Sequence, residues 1–148
     1  MTVVRLPSWS EVLRGPWALR LRSGGTGAWL MRSEADAVPE LVCRFLDSRA
    51  ARTTSGALEE LEQAFELEVP LSGFGELPEA AAGQRTLALL VLDTDRLLSD
   101  EPEALAPLVA ALRDVSERRE LRVIFQAREL TPDAEAVLAE FGVAEIAA

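Results

Sequence analysis

Two carboxylates stand two residues apart where an apolar run ends. The run from Thr86 to Leu92 is followed by Asp93, and Asp95 comes after one further residue. Proteins of the α/β class place ligands and catalytic carboxylates where buried parallel strands end. A phosphatase-type Asp-x-Asp site also requires a glycine after the second acid and a later lysine, whereas Arg96 follows here and the chain has no lysine. We therefore expect the two acids to cap backbone N–H groups in a turn.

The absent residue types exclude most catalytic classes. The chain contains no His, Lys, Tyr or Asn, and most acid–base chemistry near neutral pH uses His, Lys, Tyr or a carboxylate. Serine triads, Schiff bases, Walker-type phosphate loops and His-containing metal sites each lose a required member. We predict that the protein is not an enzyme and uses no cofactor and no metal. A carboxylate-only enzyme or metal binder built on Asp93 and Asp95 is the remaining catalytic hypothesis.

The glycine-rich cluster near the N-terminus lies between two apolar stretches. Residues 17–22 alternate between apolar and polar from residue 19, and residues 28–32 resume after the cluster. This pattern predicts a β-hairpin with a loop of about five residues. The cluster Gly24-Gly25-Thr26-Gly27 would then join two strands, and no helix N-terminus would face a phosphate there.

All three tryptophans, Trp9, Trp17 and Trp29, lie in the first thirty residues and are interleaved with arginines. Such a pattern can bind single-stranded nucleic acid, and Trp and Arg are also favoured anchors of protein interfaces. The simpler interpretation is a hydrophobic hairpin face that packs on the body, with the arginines outside. We expect no nucleic acid partner, and Trp29 is a candidate for contact with a protein.

The charge is unevenly distributed along the chain. Residues 1–52 hold eight arginines and five acids, whereas residues 53–148 hold seven arginines and twenty acids, and the net charge is −10. An acidic body repels nucleic acid phosphates. It attracts a basic partner and speeds the encounter with it. The alternative interpretation is that the acids only keep a small domain soluble.

The single cysteine and the short apolar runs bear on the location of the protein. Cys43 cannot form an intramolecular disulfide, which suits a reducing compartment, and its apolar neighbours predict an inert core residue. No apolar run approaches the roughly 18 residues that span a bilayer, and the N-terminus lacks a signal-peptide pattern. We expect a cytoplasmic protein without a membrane partner.

Strand and helix patterns alternate from residue 41 onward. Predicted strands cover residues 41–46, 86–92, 121–125 and 143–146, and predicted helices cover residues 55–67, 78–82, 100–119 and 131–142. This alternation predicts an α/β fold with a mainly parallel sheet and right-handed crossovers. We predict one compact unit in which residues 1–38 form an N-terminal β-hairpin extension and residues 39–148 form the α/β domain.

A set of motifs in the middle of the chain follows a known pattern. The most specific are Asp93-Thr94-Asp95-Arg96-Leu97-Leu98 and Asp100-Glu101-Pro102-Glu103-Ala104-Leu105, which are preceded by strand 42–47, helix 57–65 and Phe74-Gly75. In order and spacing these residues, from about Val42 to Gln126, resemble the barstar family. The resemblance implies a parallel sheet of three strands, or four, with flanking helices.

The resemblance also implies a mode of action. Barstar-family proteins inhibit secreted or toxin ribonucleases by filling a basic active site with acids from the short second helix and its loop. The corresponding segment here runs from Phe74 to Gly83, in which Glu79 matches the family's first helical acid and Glu76 lies nearby. The family's asparagine, the following aromatic residue and the later acid are missing, so the fold is expected to persist with a changed binding surface.

The leading hypothesis is a non-catalytic protein-binding protein that resembles barstar, an immunity or inhibitor protein that blocks a toxin or nuclease. Its candidate partner-binding residues are Phe74, Glu76, Glu79, Asp93, Asp95 and Trp29. A regulatory or structural interaction module without nuclease inhibition is the alternative, and it would use the N-terminal hairpin or the C-terminal helix. The sequence indicates no oligomeric state.

Overall fold

The structure, a computed structural model, describes residues 6–83 and 88–146. One sheet holds the five strands of these ranges: β1 (Ala18–Arg22), β2 (Cys43–Asp47), β3 (Ala88–Leu92), β4 (Arg122–Ala127) and β5 (Ala144–Ile146). Their order across the sheet is β2-β3-β4-β1-β5, and every neighbouring pair is parallel. The predicted α/β class is confirmed, but the sheet has five strands instead of three or four.

Six α-helices accompany the strands in the described residues: α1 (Trp9–Arg14), α2 (Gly25–Asp36), α3 (Thr54–Ala64), α4 (Leu77–Ala80), α5 (Leu105–Arg118) and α6 (Pro132–Glu140). Side-chain caps set the start of three of them, because Ser8, Thr53 and Thr131 each accept a hydrogen bond from a backbone N–H of the first turn. Within the described ranges, no helix combines the length and the apolar character that crossing a membrane requires.

Helices cover the sheet on both faces, which explains the continuous apolar run of β3. Alternate residues of β3 point to opposite faces. Leu89 and Val91 belong to the core under α3, α5 and α6, whereas Leu90 packs with Met31 of α2. The helix after β1 and the helices after β2, β3 and β4 lie on opposite faces because right-handed crossovers run in opposite directions along the sheet.

The predicted N-terminal hairpin is wrong. Strand β1 is followed by the helix α2 and not by a second strand, so the cluster Gly24-Gly25-Thr26-Gly27 opens a helix. Ala28, Met31 and Ala35 are its buried residues, and they recur at helical spacing. A short apolar run fits a strand or a helix by its pattern alone. Here the packing of α2 against β2 and β3 decides for the helix.

Strand β1 is an inner strand of the sheet, with β4 on one side and β5 on the other. In the register, Arg20 stands opposite Phe125 of β4 and Glu145 of β5. Residues 1–38 therefore do not form a hairpin extension, because their strand pairs on both sides with strands from the range 39–148.

Candidate functional site

The chain leaves two adjacent strands towards opposite faces at the carboxyl edge of the sheet. After β1 it enters α2 on one face, and after β4 it continues to α6 on the other. In α/β proteins such a point leaves a crevice outside the strand ends, and ligands bind there. A cleft of about 520 Å³ lies at this place, lined by residues of the turns after β1, β2, β3 and β4.

The floor of the cleft is built on one buried glutamine, Gln126 of β4, which is 2% exposed. Its Oε1 accepts a hydrogen bond of 2.9 Å from the backbone N–H of Asp93, and its Nε2 donates one of 2.6 Å to the carbonyl of Ser23. Breaking either bond would leave a buried polar group without a partner. The Gln126 amide therefore holds the turns after β1 and β3 in a fixed relation across β4.

Asp93 has a left-handed backbone conformation, with φ and ψ both at 52°. This conformation is uncommon for a residue other than glycine, although Asp tolerates it better than most. The hydrogen bond from the Asp93 N–H to Gln126 helps to hold the backbone there. Residues kept in sparsely populated conformations concentrate at functional sites, and Asp93 lines the cleft.

Arg49, in the turn after β2, is engaged with carboxylates of the chain itself. Its Nε and Nη2 donate to the two carboxylate oxygens of Asp47, at 3.1 and 3.0 Å. This side-chain hydrogen bonding lowers the pKa of Asp47 below its usual value. Arg49 Nε also lies 3.9 Å from Oδ2 of Asp93. Arg49 therefore lines the cleft with its charge already paired to carboxylates of the same chain.

Two other arginines line the cleft without such a partner. Arg96 follows β3 and Arg128 follows β4, and both are exposed. Their guanidinium groups form no hydrogen bond or ion pair with residues 6–83 or 88–146. The carboxylates of Asp95 and Glu129 also line the cleft. The part of the chain that the structure describes contains no group of three or more His, Cys, Asp or Glu side chains that could hold a metal ion.

A smaller hollow of about 140 Å³ adjoins the cleft and is lined by Trp29. The two cavities share Gly25, Asp93 and Gln126. Trp29 is 64% exposed, which leaves a large apolar ring in water. Three of the six predicted binding residues, Trp29, Asp93 and Asp95, therefore come together at the carboxyl edge of the sheet.

The other three predicted residues lie elsewhere. Phe74 and Glu76 belong to a 3₁₀ turn that leads into α4, and Glu79 lies on α4 itself. Nη1 of Arg119 donates a hydrogen bond of 2.8 Å to the carbonyl of Ala81, which ties the end of α4 to the residues that precede β4. This region therefore belongs to the amino edge of the sheet, away from the cleft.

Of these three residues, Phe74 is buried and the two glutamates are exposed, so only the glutamates are accessible to a partner. Phe74 is 6% exposed and lies in the same buried core as Leu77 of α4 and Leu108 of α5, so it helps to hold α4 on the body. Glu76 and Glu79 are exposed. Oε1 of Glu76 accepts a hydrogen bond of 2.9 Å from the backbone N–H of Ser72, which keeps the loop close to the 3₁₀ turn.

The chain from α3 to α4 is acidic without interruption. Residues 53–83, called the acidic segment below, contain seven glutamates and no basic residue. Glu68, Glu76 and Glu79 of this segment are exposed. Val69 is exposed beside them. Arg44 of β2 pairs with Glu66 at 2.6 Å. The acidic segment therefore presents mainly negative charge, at Glu68, Glu76 and Glu79, with an apolar side chain beside it.

Gln126 and Arg128 are not among the residues predicted for the site, although their position in the sequence points to it. Both come at or just after the end of the apolar run 121–125, as Asp93 does after its own run. Carboxyl ends of parallel strands meet at one edge of a sheet, so the same argument applied to this second run would find them. Gly24 is noticed in the sequence, but the hairpin prediction places it in the wrong structure.

Cys43 is half-buried on β2. Burial raises the pKa of its thiol to about 12. The thiol therefore stays protonated near neutral pH, which agrees with the prediction of an inert residue, although the side chain is not fully enclosed by the core.

No protein-family model matches this chain, and neither a curated protein nor a solved structure matches it. The fold and the site define it as an α/β protein with a five-stranded, all-parallel sheet and a cleft at the carboxyl edge of that sheet.

Proposed function

We propose that this chain is a non-catalytic binding protein, an immunity or inhibitor protein whose partner is a basic toxin or ribonuclease. The observation that carries the proposal is the acidic segment, which holds seven glutamates and no basic residue. A surface of one sign attracts a partner of the opposite sign and raises the association rate. It also makes the binding sensitive to salt.

The arrangement of the strands around the acidic segment supports the proposal. Strands β2, β3 and β4 are neighbours, parallel and in chain order, with α3, α4 and α5 between them in the sequence. This is the order that the resemblance to the barstar family implies for residues 42–126. In that family, acids of the short second helix contact the ribonuclease, and α4 is the second α-helix between β2 and β4 in this chain.

Glu76 and Glu79 are the residues that we expect to contact the partner. Both are exposed, whereas Phe74 is buried and is expected to act only by supporting α4. Asp93, Asp95 and Trp29 lie at the other edge of the sheet and are not required by this proposal. A carboxylate desolvated against an arginine of the partner costs about 2–5 kcal/mol when it is truncated.

Calorimetric titration and a ribonuclease inhibition assay test the proposal. The probes are the protein encoded by the neighbouring gene and a secreted bacterial ribonuclease of the kind that barstar-family proteins inhibit. We expect a complex with at least one of them, with an affinity that falls as salt rises. Glu76→Ala and Glu79→Ala should each weaken binding at least about tenfold.

Glu140→Ala is the matched control, because it removes an equally exposed glutamate from α6. It should change the affinity by less than about twofold. If neither probe forms a complex, the partner class is wrong. If Glu140→Ala weakens binding as much as Glu79→Ala does, the acidic segment is not the contact surface.

A further inference from the structure

We infer that the cleft and the adjoining hollow bind a nucleoside monophosphate, with the phosphate in the cleft and the base on Trp29. This inference concerns the carboxyl edge of the sheet and is independent of the proposed protein partner. Three observations carry it: two unpaired guanidinium groups in one cavity, an exposed tryptophan beside that cavity, and a buried amide that braces the floor between them.

Arg96 and Arg128 define the phosphate end of the site. The other exposed arginines of the described chain have partners within it. Arg22, Arg49, Arg113 and Arg118 pair with carboxylates, Arg14 and Arg52 donate hydrogen bonds to Ser10 and Ser99, and Arg32 lies over the ring of Phe45. The guanidinium groups of Arg96 and Arg128 have none within the described ranges, although both line the same cleft. Guanidinium groups donate paired hydrogen bonds to phosphate oxygens, so an anion between these two would satisfy both.

The backbone after β1 adds donors at the same place. Gly24 is the N-cap of the twelve-residue helix α2, and no side chain caps the first N–H groups of that helix. A Cβ atom on Gly24 would lie 2.4 Å from Nε of Arg128, so the Arg128 side chain packs directly against this backbone. Backbone N–H groups and an arginine thus converge on one wall of the cleft, as phosphate sites at helix N-termini require.

The charges of the cleft favour one phosphate group over three. The two unpaired guanidinium groups balance a doubly charged monophosphate, whereas Asp93, Asp95 and Glu129 on the same lining repel further negative charge. Carboxylates at this place in α/β folds also accept hydrogen bonds from ribose hydroxyls. The acids elsewhere on the chain oppose binding only weakly, because salt screens exposed charges beyond about 8 Å at physiological ionic strength.

Trp29 supplies the base end of the site. Its hollow is also lined by Leu92 and by Arg32. The Arg32 guanidinium already lies over the ring of Phe45, 4.5 Å from its centroid, so Trp29 is the group left for the ligand. Aromatic side chains stack on any nucleobase. The cleft of about 520 Å³ lies within the usual size range of small-molecule sites.

Calorimetry with AMP, GMP, CMP and UMP tests the inference, with inorganic phosphate and adenosine as partial ligands. We expect at least one monophosphate to bind with a Kd below about 1 mM. It should bind about tenfold more tightly than phosphate or adenosine alone, because both ends of the site are then occupied. Binding should also quench tryptophan fluorescence, and this quenching should be lost in Trp29→Ala.

Substitutions at exposed positions separate the two ends of the site. Arg96→Gln and Arg128→Gln should each weaken monophosphate binding about tenfold, and Trp29→Ala should weaken it by a similar factor. Gly24→Ala should weaken it about threefold, because the new Cβ displaces the Arg128 guanidinium. Circular dichroism checks that each variant is folded.

Two matched controls use the same residue types elsewhere. Arg118→Gln removes an arginine of α5 that is paired with Asp114, and Gly75→Ala adds a Cβ that would meet no atom within 4 Å. Neither should change monophosphate affinity by more than about twofold.

Four results would overturn the inference. The first is that none of the four monophosphates binds at about 1 mM. The second is binding that Arg128→Gln and Trp29→Ala leave unchanged, which would place the ligand elsewhere. The third is phosphate alone binding as tightly as any monophosphate. The fourth is a single-stranded oligonucleotide binding more tightly than every monophosphate, which would assign the cleft to nucleic acid.

Discussion

The acidic segment and the cleft are both rich in charged side chains, but they are built in different ways. The acidic segment carries one sign of charge on consecutive residues of α3, a loop and α4. The cleft collects both signs of charge from the turns after β2, β3 and β4, and the buried Gln126 holds its floor in place. Charge of one sign acts at a distance and steers a partner, whereas fixed groups in a concave site select a ligand by geometry.

Because of this difference, the two regions should tolerate different kinds of substitution. Partner binding by the acidic segment should respond to salt and to the number of carboxylates, and much less to small shifts of the backbone. Ligand binding in the cleft should respond to the placement of backbone and side-chain donors. Three pairs of substitutions sharpen or break this contrast, and in each pair one member lies in the acidic segment and the other in or beside the cleft.

The largest effect is expected at the two aromatic residues. Phe74→Ala should lower the free energy of unfolding by about 3 kcal/mol, because Phe74 is buried under α4 and its loss leaves a cavity. Trp29→Ala should change it by less than about 0.5 kcal/mol, because the ring is mostly in water. Urea denaturation of both variants measures these values. Equal destabilisation would mean that Trp29 is a packing residue and that the proposed base end is not a free surface.

A smaller effect is expected at the two glutamines. Gln126→Leu should destabilise the protein by about 2 kcal/mol, because it leaves the N–H of Asp93 and the carbonyl of Ser23 without partners. Gln63→Leu, at an exposed position of α3, should stay within about 0.5 kcal/mol of the native chain. Chemical denaturation provides the comparison. If Gln126→Leu were as stable as the native chain, the two hydrogen bonds of the Gln126 amide would not stabilise the floor of the cleft.

The smallest effect is expected in the pH dependence of two carboxylates. The Asp47 pKa is lowered, mainly by the side-chain hydrogen bond from Arg49, so its stabilising effect is present above pH 3.8 and is lost as pH falls through the folded pKa. The Glu60 pKa is raised, mainly by burial, so stability instead falls as pH rises from 4.5 through its folded pKa.

Thermal denaturation between about pH 3 and pH 6 distinguishes these two signs. Asp47→Asn should lose stability less steeply than the native chain towards acid pH. Glu60→Gln should lack the loss of stability that the native chain shows as pH rises above 4.5. Identical pH profiles for the two variants would contradict the assignment of opposite shifts.

Local patterns predicted most of the elements and part of the site. The helix caps Thr53 and Thr131 depend only on neighbouring residues, because each accepts a hydrogen bond from the first turn of its own helix. The position of Asp93 after a buried strand also follows from local hydrophobicity, and it is confirmed. The expected capping by its carboxylate is wrong, because the Asp93 side chain accepts no hydrogen bond from the turn that follows. The same local patterns predict the wrong structure for residues 25–36, which form a helix. The glycines weaken the helical pattern there, and the apolar run that follows fits a strand equally well.

The incorrect prediction of a hairpin also affects which variants can test partner binding. With residues 17–32 taken as a hairpin, a deletion of residues 1–33 would be a mild test of partner binding. The strand β1 lies between β4 and β5, so that deletion would remove an inner strand and separate β5 from the sheet. Point substitutions on the surface, such as Glu79→Ala and Trp29→Ala, are therefore the appropriate tests.

Local sequence is enough to specify the alternation of strands and helices from residue 41 onward, the helix caps, the uneven charge and the lack of most catalytic side chains, because each of these depends on composition or on near neighbours. The entry of β1 between β4 and β5, and the helical conformation of α2, depend instead on packing between distant segments. The same packing brings Gln126 to Asp93 and Ser23, which are 33 and 103 positions away. Strand pairing is non-local, so no pattern within one segment specifies which strand ends will share an edge.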